Sequence, residues 1–75
     1  MEKKILIIDD DYPLRRVIEK ALKNSKTSIK GVSTVSEAWV DIQKNKYDLI
    51  ICDVFLPDGD GLELVKKVKE KDKDQ

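Results

Sequence analysis

Two short apolar runs constrain this chain more than anything else in it. One is Ile5-Leu6-Ile7-Ile8, within "KILII" at residues 4–8; the other is "LIIC", within "DLIICD" at 48–53. Each is unbroken by polar residues, rich in isoleucine and too short for a helix. Such runs read as strands buried on both faces, and strands of that kind belong to parallel sheets. Both also run straight into acid: Asp9, Asp10 and Asp11 follow the first, and Asp53 closes the second.

Between the two runs the period changes. Leu14, Val17, Ile18, Ala21 and Leu22 fall at i, i+3, i+4, i+7 and i+8, one helical stripe expected to face inward. Pro13 suits the first turn, and Asp11 or Tyr12 takes the cap. The polar stretch "NSKTSIKGVST" leads into a weaker strand near Ile29–Val32. "TVSE" at 34–37 is a capping box, in which Thr34 caps and Glu37 reaches back. It opens a helix with Ala38, Trp39 and Ile42 inward, ending near Asn45. "VFLPDGDG" is predicted to be a loop, since Pro57, Gly59 and Gly61 punctuate it. "LELVKKVKEK" is predicted to be the last helix, with Leu62, Leu64, Val65 and Val68 inward, and the charged end "KEKDKDQ" is expected to fray. The order βαβαβα predicts an α/β fold: a three-stranded parallel sheet with helices on both faces.

Seventy-five residues make at most one domain. A chain so short buries only about 60% of the surface that it exposes when unfolded, so its core is marginal. Cys52 is the sole cysteine, which leaves no partner for an internal disulfide and fits a reducing compartment. The first apolar run is too short for a signal-peptide core or a membrane span, and a cytoplasmic protein is expected. Fifteen Lys and Arg balance fifteen Asp and Glu, so no basic excess drives nucleic-acid binding. The absence of histidine excludes His-based catalysis and the usual zinc sites.

Parallel strands present their C-terminal ends at one rim, which places Asp9, Asp10 and Asp53 together. Clustered carboxylates repel unless a cation neutralises them, and an oxygen-only donor set suits Mg²⁺. A carboxylate beside such a metal is able to attack phosphorus and form an aspartyl-phosphate. The plainer alternative makes Asp9 and Asp10 surface loop residues, with Asp11 a helix cap. Cys52 precedes Asp53 and points to the opposite face, as a buried strand cysteine. Trp39 is core or an exposed apolar contact. "DGDG" at 58–61 lacks the spacing of a calcium loop, because Leu62 falls where a third oxygen ligand is needed.

"ILIIDDD" together with "DLIICDVFLPDGDGLELV" resembles the receiver domain of bacterial two-component response regulators. The paired acids and the pattern D-x-x-x-P-x-x-D-G carry the resemblance. It covers all 75 residues but only the first three of the family's five βα units, so residues 1–75 are expected to be the N-terminal half of a receiver domain. The implied fold is half of a flavodoxin-like doubly wound sheet, strand order 2-1-3-4-5, with its site between strands 1 and 3.

By the same resemblance Asp53 is the phosphoacceptor, not the active residue of an enzyme. Asp10 is implied as a direct Mg²⁺ ligand, Asp9 as one acting through water, and the backbone carbonyl of Phe55 as the third protein ligand. Pro57 and Gly61 shape the loop, while Gly59 stands where the family often has a larger apolar residue. A sensor histidine kinase is the implied partner. The family's switch Ser/Thr and phosphate-binding Lys fall beyond these residues, which implies impaired signalling. "LIIC" then becomes a sheet edge and one sheet face lies bare beside the first helix, so a homo-oligomer is expected, a dimer first. The rival readings are a self-associating structural βα fragment without chemistry, and an acidic metal-binding module.

Overall fold

The computed structural model describes residues 2–72. In chain order the elements are β1 (Lys3–Ile8), α1 (Tyr12–Leu22), β2 (Thr27–Val32), α2 (Val35–Lys44), β3 (Leu49–Cys52), β4 (Phe55–Leu56), β5 (Gly59–Asp60) and α3 (Gly61–Asp72). β1 is central, with β2 and β3 parallel on either side of it in the order β2-β1-β3. This is the three-stranded parallel α/β sheet expected from the order βαβαβα. Registration is continuous: Ile8 pairs with Val32 on one side and with Cys52 on the other. β3 is therefore an edge.

Alternation along β1 divides the sheet into two faces. Leu6 and Ile8 face Val32, Ala38, Ile42, Leu56 and Leu64 in one apolar core, with Ile50, Cys52, Trp39 and Val68 packed against it. This is the face that α2 and α3 cover. Leu6 and Ile8 are fully buried, and each such side chain contributes about 1.5–3 kcal/mol. Ile5 and Ile7 point to the other face, beside Leu49 and Ile51 of β3 and Ile29 and Gly31 of β2. α1 lies on that side.

α1 departs from its expected orientation. Leu14, Val17 and Ala21 are exposed, and the one buried side chain of the helix is Arg15. Ile18, Glu19 and Leu22 are half-buried, so the inward line runs 15, 18, 19, 22. The helix is turned by about one residue from the apolar stripe. Across the gap Leu49 of β3 is 48% exposed, and this face of the sheet is only partly covered.

Three other expectations change. The segment "VFLPDGDG" is not plain loop, because β4 and β5 pair antiparallel, Phe55 with Asp60 and Leu56 with Gly59. The hairpin forms because Leu56 has a core to enter, where it is 9% exposed. Leu62 is exposed rather than inward, whereas Leu64 is buried as expected. α3 runs to Asp72, into the charged end expected to fray, and residues 73–75 lie outside the described residues.

A polar pin holds α2 against the sheet. Asp41, 5% exposed, pairs with the Lys30 ammonium from β2. It accepts from the Tyr47 hydroxyl at 2.5 Å and from the Asn45 side-chain amide at 3.0 Å. Burial alone would raise the Asp41 carboxyl, but Lys30 and the hydrogen bonds from Tyr47 and Asn45 outweigh it and hold it below the usual value. Burial and the Asp41 charge push the Tyr47 phenol up to about 12. The Thr34 cap forms at the other end of α2, where its hydroxyl accepts from the Glu37 N–H at 3.1 Å, and Glu37 reaches back to that hydroxyl, which donates to its carboxylate at 3.1 Å, rather than to the Thr34 N–H.

Candidate functional site

The ends of β1 and β3 meet at one rim. Asp53 N–H donates to the Ile8 carbonyl at 2.9 Å, and Asp9 N–H donates to the Val32 carbonyl at 3.0 Å. The ladder therefore continues one step past each apolar run and fixes the backbone of both acids. Asp9, Asp10 and Asp53 each bring a carboxylate oxygen within 4.8 Å of the other two. Asp10 is exposed; Asp9 and Asp53 are half-buried. Asp11 is drawn away from the cluster to cap α1, accepting from the Leu14 N–H at 3.1 Å.

Local hydrogen bonds orient the acids. Asp9 Oδ1 accepts from the Asp11 N–H at 2.9 Å, an Asx turn that starts α1. Asp53 Oδ1 accepts from the Phe55 N–H at 3.4 Å. The backbone of Phe55 is part of β4, while its side chain is 83% exposed. Gly61 closes the segment from below: its N–H donates to the Val54 carbonyl at 2.8 Å. A Cβ at Gly61 would fall 2.0 Å from the Asp53 carbonyl oxygen. No glycine among the described residues has positive φ, so close approach and not left-handed backbone demands glycine there. Asp60 Oδ1 then accepts from the Leu62 N–H at 2.8 Å and opens α3.

The donor set is all oxygen at a wet rim, which fits a hard divalent cation such as Mg²⁺. Carboxylates held this close repel one another, most strongly where protein displaces water. Cys52 does not compete. Its thiol lies 3.2 Å from the Asp53 carbonyl oxygen, and burial, then the charges of Asp53, Asp9 and Asp60, push it up. It stays protonated at neutral pH, which leaves it a poor metal ligand and a poor nucleophile.

Three polar residues around the rim were not read from the sequence. Arg15 donates to the Asp9 carbonyl at 3.1 Å and to Ser33 Oγ at 2.9 Å. Asp58 accepts from the backbone of α2. One signal pointed to Arg15: Gly31 is an isolated glycine inside a strand, which marks a close approach by something else.

Comparison with known proteins gives the family and the fold. Residues 5–75 match the family described as the response regulator receiver domain. The chain is 37% identical over 71 residues to the regulatory protein VanR of Enterococcus faecium, covering 95% of this chain and 31% of VanR. Among solved structures it resembles the non-phosphorylated HemR receiver domain of Leptospira biflexa, with a TM-score of 0.86 at 33% identity, over 97% of this chain and 59% of that one. It also resembles a two-component response regulator from Clostridium difficile, with a TM-score of 0.85 at 39% identity, over 92% of this chain and 57% of that one. The chain thus spans under two thirds of the length of each of these proteins.

Proposed function

This chain belongs to the response regulator receiver domains of two-component systems, and on that premise we propose that Asp53 is its phosphoacceptor. A carboxylate oxygen of Asp53 attacks the phosphorus of a phosphohistidine on a sensor histidine kinase. A P–O bond forms, the P–N bond breaks, and the imidazole leaves with the electron pair. The observation that carries this proposal is the convergence of Asp9, Asp10 and Asp53 within 4.8 Å. In this reading Asp53 serves as the acceptor of the phosphoryl group.

Asp9, Asp10, Asp53 and the Phe55 carbonyl are the groups that would hold Mg²⁺. When bound, the ion offsets the negative charge of the carboxylates and of the incoming phosphoryl oxygens. The chain's own contribution is placement. The β1–β3 ladder holds Asp53 at the rim, the Phe55 N–H orients its carboxylate, and Gly61 lets the following helix pass directly beneath it. Residues 1–75 would supply the first three βα units of the domain. The positions of the family's switch Ser/Thr and phosphate-binding Lys fall outside them. The net charge of zero argues against direct nucleic-acid binding. No helix among the described residues is long and apolar enough to cross a membrane, and a cytoplasmic location is proposed.

A second reading, self-association, is favoured by the partly covered face of the sheet at the β3 edge. Leu49 at 48% exposure faces the same side as α1, where Leu14 is 47% and Val17 63% exposed. A second copy meeting the β3 edge would cover both.

The test is phosphorylation by a small-molecule phosphodonor with Mg²⁺. Any label should map to Asp53, and Asp53→Asn should abolish it. Labelling that survives Asp53→Asn overturns the assignment. Metal binding without any labelling, at long incubation, favours the acidic metal-binding module instead.

A further inference from the structure

We propose that Arg15 is a positioning residue for the acidic cluster, seated there by Gly31. This rests on Asp9, Asp10 and Asp53 forming the cation site. Arg15 is 9% exposed, and one terminal nitrogen donates both to the Asp9 carbonyl, at 3.1 Å, and to Ser33 Oγ, at 2.9 Å. That single nitrogen joins the loop after β1 to the loop after β2. With the Asp9 N–H given to Val32, both backbone polar groups of Asp9 are anchored from the β2 side. The backbone of Asp9 is then held from behind while its carboxylate converges with those of Asp10 and Asp53.

The Nε edge of the guanidinium is poorly satisfied. Among the described residues Arg15 Nε has no hydrogen-bond partner, and it lies 4.0 Å from Glu19 Oε1. Its guanidinium carbon lies 5.3 Å from the centre of the Tyr12 ring. Burying a guanidinium with incomplete hydrogen bonding is unfavourable on its own. The hydrogen bond to the Asp9 carbonyl gives that buried guanidinium a direct link to the acidic loop.

Gly31 makes the arrangement possible. A Cβ there would fall 2.6 Å from Arg15 Nε, 2.8 Å from Arg15 Cδ and 2.9 Å from Glu19 Oε1. All three are side-chain atoms of flexible residues. Gly31→Ala should therefore move the guanidinium while leaving the sheet intact. It also keeps every charge, and so separates position from electrostatics.

The experiment measures Mg²⁺ affinity from amide shifts at Asp9, Asp10 and Asp53 in the wild-type chain, Arg15→Ala, Arg15→Lys and Gly31→Ala, with circular dichroism as the check on folding. Loss of a group that orients a metal ligand weakens affinity by about 10-fold or more. That is the expectation for Arg15→Ala and Gly31→Ala, with partial recovery in Arg15→Lys. Charge alone gives the opposite sign, because deleting a nearby cation should tighten Mg²⁺. Unchanged or tighter binding in folded Arg15→Ala and Gly31→Ala overturns the positioning role and leaves the cation site standing. A wild-type chain with no Mg²⁺-dependent shifts overturns the cation site and the role together. Unfolding of both variants also counts against the proposal, because it would make Arg15 a stabilising residue.

Discussion

The carboxylate of Asp58 receives the backbone N–H of Val35 at 2.7 Å, and so ties the turn between β4 and β5 to the first turn of α2. The same carboxylate accepts from the Ser36 N–H at 3.1 Å and the Ser36 hydroxyl at 2.8 Å. An anion at the N-terminus of a helix satisfies donors that have no partner within the helix and complements its dipole. The segment that leaves Asp53 is thus fastened to a helix 23 residues away in the chain from Asp58 to Val35.

Asp58→Ala should release that link. Hydrogen exchange at the Val35 and Ser36 amides should speed up, while Glu37, held by the Thr34 hydroxyl, changes least. The Ser36 hydroxyl, then the Val35 N–H, hold the Asp58 carboxyl below its usual value. A depressed folded value means that the link is complete above the unfolded value, about 3.9, and is lost as pH falls through the folded one. The Val35 and Ser36 amide shifts should titrate together in that acid range. A titration midpoint above the ordinary aspartate value would contradict the assigned contacts.

Tyr47→Phe should destabilise the fold by about 1.5–3 kcal/mol, the usual contribution of a hydrogen bond to a charged group. It should also raise the Asp41 carboxyl, which loses one of the partners holding it down. Asp41 stabilises the native state at neutral pH, and this contribution fades below about pH 3.9. Tyr47 runs the other way: its raised value keeps its contribution intact below about pH 10, and it is lost as pH rises through about 12. Urea denaturation of both proteins across pH measures all of these effects. Equal stability of the two at pH 7 would show that the pin does not hold α2.

Gly61→Ala should cost more than a surface change, at least about 1–3 kcal/mol. The added Cβ meets backbone, the Asp53 carbonyl oxygen at 2.0 Å, as well as Cys52 Sγ at 3.0 Å. Backbone does not yield as a side-chain tip does. The substitution should shift the Asp53 amide and lower the midpoint of thermal unfolding. A variant with wild-type stability and an unmoved Asp53 resonance would refute the close approach.

Leu49→Lys should reduce self-association without unfolding the chain, because Leu49 is half-exposed on the face that α1 leaves open. Ile50→Lys should unfold it, since Ile50 packs against the core shared with Leu64. Sedimentation at about 100 μM distinguishes the outcomes, a concentration at which even a Kd of 1 μM gives mostly dimer. A wild-type chain that sediments as a folded monomer there excludes the dimer.

Much of the fold is legible along the chain because it depends on local rules. Ile5 to Ile8 and Leu49 to Cys52 are apolar throughout and both form strands of the parallel sheet, but only β1 is buried on both faces, while Leu49 at the edge is 48% exposed. The rim followed from them, since parallel strands with acids at their ends bring those acids together. Thr34 and Glu37 specify a helix start by their own hydrogen bonds. The family was legible for the same reason: its motif is a set of strand ends and a tight turn at fixed spacing.

Tertiary structure decided what periodicity leaves open. A 3.6-residue period says that Leu14, Val17 and Ala21 share a side of α1, not which side the sheet will meet. Here the sheet meets Arg15, Ile18 and Leu22, because Gly31 opens a channel for the Arg15 side chain and the loops after β1 and β2 offer it oxygens. The Lys30–Asp41 pair and the Asp58–Val35 cap join residues distant in the chain, so no local pattern encodes them. The β4–β5 hairpin is the same kind of case: two residues per strand do not hold on their own, and they pair because Leu56 enters a core built by four other elements.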